Sequence, residues 1–173
     1  MPATYQLIAS NILSTATSTI TFSSIPATYT DLVVRFSARN TASSDYTVPI
    51  VRLNNLATSI YSWSLASNNN GSSFAYTQAN NSSLGAESYV PSVNVTANTF
   101  GSYEIYIPSY TSSTNKPSSA FAVVENNSTT VFDLQTRAQL FSSTGAINRV
   151  DISTPSSNFV AGSSFFLYGI KNS

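Results

Sequence analysis

The chain has 173 residues, 42% hydrophobic and 12% aromatic, so it can bury a core without a metal or a disulfide. Only 8% of its residues are charged, seven basic and seven acidic, which excludes the basic face that nucleic-acid binding needs. Since 70 residues are Ser, Thr or Asn, hydroxyl and amide groups must form most of the surface, as is common in extracellular assemblies.

Alternation of apolar and polar residues, rather than helical periodicity, runs along the chain. It is clearest at 31–39, where every second residue from Leu32 to Ala38 is apolar. The segment 54–100 is the least regular and is predicted to form long surface loops with short strands. Strands are predicted at 4–10, 18–23, 31–39, 47–53, 73–78, 101–107, 119–125, 130–140, 146–153 and 164–170.

Turn-forming residues separate these strands, as at 68–71 and 142–145. Their spacing predicts an all-β chain, an antiparallel β-sandwich with a jelly-roll-like arrangement of about eight to ten strands. Residues 164–170 are apolar on both faces, which is typical of a central strand. No segment has the composition of a linker, so residues 1–173 are predicted to form a single domain.

Catalytic residue types are scarce in this sequence. It has no His and no Cys, which excludes Ser-His-Asp and Cys-His catalysis and the usual zinc sites. A glycosidase-like carboxylate pair remains on paper, either Glu87 with Glu104 or Asp133 with Asp151, but nothing singles these residues out. We therefore expect no enzyme activity, no cofactor and no metal, and the lack of a long apolar run argues against a membrane span.

Two groups of charges share a strand face by their spacing. Asp31, Arg35 and Arg39 have one parity on the strand at 31–39, and Asp133 and Arg137 repeat the pattern at 130–140. One interpretation is a solvated or internally paired surface. The other is a row of charges that pairs with a neighbouring subunit, since so few charges each need a defined partner.

Four aromatic residues, Tyr61, Trp63, Tyr76 and Tyr110, fall in or near predicted loops. They are candidates for an aromatic contact surface that stacks on sugar rings, with Asn and Ser groups binding the sugar hydroxyls. The alternative is that the rings pack over the ends of the sandwich or at a subunit interface.

Four stretches of the sequence, taken in chain order, resemble segments of a known group of proteins. They are Ile20 to Arg39, which begins ITFSSIPATYTDL; Arg52 to Asn55 (RLNN), followed by Tyr61; Ile107 to Tyr110 (IPSY), which leads to Asn115–Pro117; and Ser164 to Ile170 (SFFLYGI). Together they resemble a group of small virion structural proteins of tailed bacteriophages, either capsid decoration (cement) proteins or tail-associated proteins. The resemblance implies a β-sandwich and a place on the particle, and the segment 54–100 departs from it most.

The first predicted strand begins close to Met1 and the last ends close to Ser173, so we expect a compact module without the shaft of a receptor-binding fibre. This favours a capsid decoration protein on the outer capsid surface. We expect it to bind the major capsid protein as a homotrimer, through modest contacts repeated by symmetry. The alternative is a tail-associated or receptor-binding protein that binds a host glycan. No nucleic-acid or membrane partner is expected.

Overall fold

Strands make up all the regular structure of the protein in the residues described by its computed structural model, which are 4–84, 89–125 and 132–171. No helix in those ranges could cross a membrane. The strands are β1 (Tyr5–Ile12), β2 (Thr19–Phe22), β3 (Asp31–Ala38), β4 (Tyr46–Thr47), β5 (Ile50–Leu53), β6 (Tyr61–Asn69), β7 (Ser72–Asn81), β8 (Val90–Pro91), β9 (Gly101–Ile107), β10 (Lys116–Glu125), β11 (Phe132–Phe141), β12 (Val150–Ser153) and β13 (Ser164–Ile170).

The strands form three antiparallel sheets. Eight strands pair in the order β1-β13-β3-β9-β10-β11-β6-β7, three in the order β2-β12-β5, and β4 pairs with β8. The two larger sheets contribute side chains to one hydrophobic cluster, so they pack face to face. The predicted all-β antiparallel sandwich is confirmed, although the described residues contain more strands than expected.

The face of the eight-stranded sheet that meets the three-stranded sheet is its inner face. Alternation along β3 puts Leu32, Val34, Phe36 and Ala38 on this face with at most 3% of each exposed, as their spacing predicts. The ring of Phe36 stacks between its cross-strand neighbours Tyr103 and Phe165, with ring centroids 4.3 and 5.6 Å away. These paired rings stabilise the core across three neighbouring strands.

Strand β13 lies between β1 and β3, so it is an interior strand one position from the sheet edge. Phe165 and Leu167 are completely buried on the inner face. Gly169 follows them on that face, and the ring of Tyr29 occupies the space there, because an added Cβ would lie 2.3 Å from the Tyr29 Cγ. Only glycine permits this approach of ring to backbone.

The prediction of loops for most of 54–100 is wrong. Strands β6 and β7 form a hairpin of nine and ten residues that extends the sheet beyond β11. Its turn is Asn70-Gly71, and both residues have positive φ, 49° and 82°. That geometry is the primed turn that suits the twist of a hairpin.

Other strand limits differ from the prediction by a few residues. Strand β10 begins at Lys116, three residues earlier than predicted, and β12 begins only at Val150. The predicted strand at 130–140 is β11, although residues 130 and 131 lie outside the described residues.

Candidate functional site: the outer face of the eight-stranded sheet

The opposite face of the eight-stranded sheet, which we call the outer face, carries large apolar side chains that remain in contact with solvent. Five are exposed by 45 to 68%: Tyr5, Leu7, Ile12, Phe121 and Leu134. They come from β1, β10 and β11, so they spread across most of the sheet. These exposed apolar side chains make the outer face a candidate interaction surface.

One ion pair crosses the middle of the outer face. Arg35 on β3 lies directly opposite Glu104 on β9, and its Nε donates to Glu104 Oε2 at 2.6 Å. Phe166 lies beside Arg35 across β13, and Phe121 lies beside Glu104 across β10. The pair is therefore flanked by two aromatic residues, although 51% and 43% of its own side chains remain exposed.

Phe121 separates two grooves on this face. One groove, of about 560 Å³, runs towards β13 and is lined by Arg35, Glu104, Phe166, Tyr168 and the serines Ser37, Ser102 and Ser164. The other, of about 530 Å³, runs towards β7 and is more apolar, with Ala66, Ala75, Leu134 and Thr136 in its lining. The face thus offers one ridge and two depressions to a partner surface.

The predicted charge row on β3 is only partly exposed. Asp31 is 4% exposed, and its carboxylate accepts hydrogen bonds from the Tyr106 hydroxyl at 2.9 Å and from the Ser109 backbone N–H at 2.8 Å. Burial and the bond to Asp31 both raise the pKa of Tyr106. Of this row, Arg35 is the one charge that a neighbouring subunit can reach.

Arg39 follows the end of β3 and is 6% exposed. Its guanidinium donates to the backbone carbonyls of Val95, Thr96 and Thr99 at 2.7 to 3.0 Å. Burial lowers the pKa of Arg39. Its role in this chain is to hold the loop at 95–99, because three carbonyls replace the water that the cation has lost.

Asp133 and Arg137 lie on the inner face instead, where both are buried. Gln135 stands between them, donating through Nε2 to Asp133 Oδ2 at 2.9 Å and accepting from Arg137 Nη2 at 2.8 Å. Ser67 Oγ donates to the other carboxylate oxygen at 2.9 Å. We call Asp133, Gln135 and Arg137 the polar ladder of β11.

The four predicted aromatic residues do not form one surface. Tyr61 and Tyr110 are at most 1% exposed and belong to the core. Their hydroxyls donate to backbone carbonyls, of Leu56 for Tyr61 and of Pro26 for Tyr110, and burial raises the pKa of both. Neither ring is available to a ligand at the surface.

Trp63 and Tyr76 do lie together. Their ring centroids are 5.2 Å apart in an edge-to-face arrangement, and 45% of Tyr76 is exposed. They line a small cavity of about 160 Å³ with Val48, Phe74, Tyr89, Gln135 and Arg137, which we call the aromatic pocket. It is on the inner-face side of β6, β7 and β11.

Of the two carboxylate pairs considered from the sequence, Asp133 and Asp151 lie on different sheets. Asp133 is on the eight-stranded sheet, whereas Asp151 is on β12 of the three-stranded sheet, where Arg149 binds it at 2.8 Å. Glu104 pairs with Arg35, and Glu87 lies outside the described residues. Among the residues that the structure describes, no group of three or more His, Cys, Asp or Glu side chains could hold a metal ion.

Comparison with known proteins gives no relative. The chain matches no family model, no curated protein and no solved structure. The resemblance to virion proteins therefore stays a prediction.

The sequence reasoning missed the outer face as a site. Strand β10 has Phe121 and Val123 on one parity and Ala120, Ala122 and Val124 on the other. Apolar residues on both parities predict a strand that is covered on both sides. The three-stranded sheet covers only the side with Ala120, Ala122 and Val124. The apolar Phe121 and Val123 on the other side were therefore the sequence signal for a partner.

Proposed function

We propose that the chain is a non-catalytic structural subunit of a tailed-bacteriophage particle, a capsid decoration (cement) protein. In this role it binds the outer surface of the major capsid protein lattice and stabilises the shell. The observation that carries the proposal is the outer face, where Phe121 and Leu134 stand in solvent at 51% and 45% exposure. Burying them against a neighbour releases apolar surface from water, which drives association.

The charges of the outer face restrict the partner. Arg35 and Glu104 neutralise each other, so the middle of the face offers no net charge to a nucleic acid or to an anionic lipid surface. A partner protein surface of low charge fits this face if its side chains fill the two grooves beside Phe121. The major capsid protein is the partner to which we commit, and the resemblance of the sequence to virion proteins supports that choice.

Closed symmetry suits such a subunit. Strands β1 and β7 are the two edges of the eight-stranded sheet, and exposed edges invite uncontrolled pairing. A homotrimer on the three-fold points of a capsid lattice would repeat each modest contact by symmetry. Its subunit contacts would also cover the exposed sheet edges. We therefore propose a trimer, which a light-scattering mass of the purified protein tests directly.

An add-back experiment tests the proposed function. Phage particles assembled without the protein are mixed with recombinant wild-type chain, and the bound protein is quantified and located by electron microscopy. We expect density on the shell, and we expect Phe121→Asp to abolish binding because it places an unpaired charge in a buried interface. The control is Val93→Asp, which changes an apolar side chain of matched exposure, 52%, in a loop.

Two results would contradict the proposal. Density at the tail with none on the shell would remove the capsid role. Self-association of the purified chain that is lost in Phe121→Asp would assign the outer face to a second copy rather than to the capsid protein.

A further inference from the structure

The aromatic pocket lies on the other side of the sheet from the outer face, and the two share only Phe74 among their lining residues. Trp63 comes from β6, Phe74 and Tyr76 come from β7, and Tyr89 precedes β8. Trp63 is fixed by the sheet and is only 8% exposed, whereas Phe74 and Tyr76 are exposed by 42% and 45%. The pocket therefore has one rigid buried wall and one wall of rings that a ligand can reach from solvent.

The polar ladder supplies the other side of the pocket. Gln135 and Arg137 line it while being only 6% and 7% exposed. Hydrogen bonds through Gln135 tie Arg137 to Asp133, and the guanidinium carbon of Arg137 lies 4.6 Å from the centre of the Trp63 ring. These contacts hold an amide and a guanidinium in fixed positions beside aromatic rings, so little order has to be gained on binding.

The volume restricts the size of a ligand. The cavity measures about 160 Å³. A cavity of about 150 Å³ in another protein binds benzene, so this pocket admits one six-membered ring. Most pockets for larger ligands measure about 300 to 1,000 Å³.

We propose that the aromatic pocket binds one pyranose ring of a saccharide. A pyranose has C–H faces that pack on aromatic rings such as Tyr76 and Phe74, and oxygen atoms at its edge. The amide of Gln135 and the guanidinium of Arg137 donate to those oxygens. A mostly apolar pocket with a few fixed polar groups is the usual design of a small-ligand site.

Other ligand classes fit the lining less well. Arg137 repels an organic cation, which aromatic rings alone would favour. Arg137 would attract a phosphate or sulfate, but the rings of Trp63, Phe74 and Tyr76 would strip the anion of its hydration. A purely apolar ring has no oxygen atoms that could accept hydrogen bonds from Gln135 and Arg137. An uncharged ring with hydroxyl groups satisfies both sides of the pocket.

Trp63 is the only tryptophan of the chain, so its fluorescence reports directly on the pocket. The experiment titrates methyl glycosides of the common hexoses and aminohexoses into the purified full-length chain and follows emission. We expect a saturable change with at least one sugar. Oligosaccharides that carry the same ring at the end or in the interior then distinguish a terminal glycan residue from a free sugar, since the cavity admits one ring.

Three variants test whether the sugar binds in the aromatic pocket. Tyr76→Ala, at an exposed position on an edge strand, should weaken binding at least tenfold and leave the fold intact, as measured by circular dichroism. Arg137→Met should also weaken binding at least tenfold, measured under conditions where circular dichroism shows the variant to be folded, because it removes a buried hydrogen bond to Gln135 as well. Tyr76→Phe should keep most of the affinity because it retains the ring. Phe121→Ala, on the outer face, is the matched aromatic control and should bind like wild type.

Two outcomes would overturn the inference. The first is the absence of a saturable Trp63 response to every sugar in the panel. The second is a response that persists at full affinity in both Tyr76→Ala and Arg137→Met. The add-back of the protein to particles does not depend on these variants, so failure of the sugar site and failure of the capsid role are distinguishable.

Discussion

The two faces of the eight-stranded sheet use aromatic residues in opposite ways. On the inner face Phe36 is 3% exposed and stacks between Tyr103 and Phe165. On the outer face Phe121 stands 51% exposed between two grooves. The same residue type therefore stabilises the fold on one face and remains available to a partner on the other.

The inner face itself changes character across the sheet. It is aromatic and aliphatic on β13, β3 and β9, becomes small at Ala120 and Ala122 on β10, and is polar on β11. The hydrophobic cluster includes the inner-face residues of the first four strands and extends to Phe141 on β11 and Tyr61 on β6, whereas the aromatic pocket is lined by Gln135 and Arg137 of the polar part.

The largest expected effect comes from removing an inner-face ring. Phe36→Ala should destabilise the protein by about 3 to 5 kcal/mol, because it deletes a buried ring and leaves a cavity among Tyr103 and Phe165. Phe121→Ala should change the free energy of unfolding by about 0.5 kcal/mol or less, as a surface substitution does. Urea unfolding followed by far-UV circular dichroism measures both, and equal losses would mean that Phe121 already packs within the free chain.

The next effect concerns a buried hydroxyl that joins the two larger sheets. Tyr61 on β6 donates to the Leu56 carbonyl at 2.9 Å and accepts from the Leu53 backbone N–H at 3.0 Å. Tyr61→Phe leaves these groups without that partner, which should cost about 1 to 3 kcal/mol. Guanidinium unfolding at neutral pH tests this, and an unchanged midpoint would show that the hydroxyl contributes nothing.

The same variant has a pH signature. Burial raises the pKa of Tyr61 above that of the unfolded chain, so the folded state keeps a proton that the unfolded state releases. This stability is present below a pH of about 10 and is lost as the pH rises further. Wild type should therefore lose stability between about pH 9.5 and 11 more steeply than Tyr61→Phe.

In the Tyr61→Phe variant the stability still falls somewhat with rising pH, because the pKa values of Tyr106 and Tyr110 are raised as well. Lys116 acts in the opposite direction, because burial lowers its pKa and its stability contribution grows with pH until the unfolded lysine also titrates. Parallel curves for wild type and Tyr61→Phe would contradict the assignment to Tyr61.

A smaller effect is expected at the turn of the β6–β7 hairpin, which carries two walls of the aromatic pocket. Gly71 has a φ of 82° and no atom within 4 Å of an added Cβ. Gly71→Ala should therefore cost about 1 to 2 kcal/mol from backbone conformation alone. Gly145→Ala is the control, since it also has room but no positive φ, and it should be neutral or slightly stabilising.

Sequence alone predicted the strands whose alternation is regular. Residues 31–39 and 101–107 became β3 and β9 because a half-buried strand imposes a period of two on its apolar residues. In 54–100 the turn at 68–71 and the strand at 73–78 were predicted, and the latter lies within β7. Strand β6 was missed, although Tyr61, Trp63 and Leu65 alternate with Ser62 and Ser64 just before the Asn70-Gly71 turn.

The functional residues were harder to predict, for a physical reason. Parity assigns a side chain to a face, but only the partner sheet decides whether that face is buried. Asp133 and Arg137 share a parity and were expected as candidate interface charges, yet the fold buries them inside the chain. Trp63 and Tyr76 lie together because β6 and β7 are neighbours, whereas Tyr61 and Tyr110 pack in the core.

The smallest effect in the free chain is the ion pair of the outer face, and it sharpens the contrast between the faces. A double-mutant cycle with Arg35→Met and Glu104→Gln should give a coupling of about 1 kcal/mol or less in the isolated protein, since both groups are half exposed. The coupling should also fall with added salt.

On the particle the same pair would be desolvated between Phe121 and Phe166, where attraction between charges is stronger. Removing one partner alone should then weaken binding to the shell more than removing both, because a single variant leaves an unpaired charge in the interface. If single and double variants bind the particle equally, the pair stays in water after assembly, and the contact surface must lie away from the centre of the outer face.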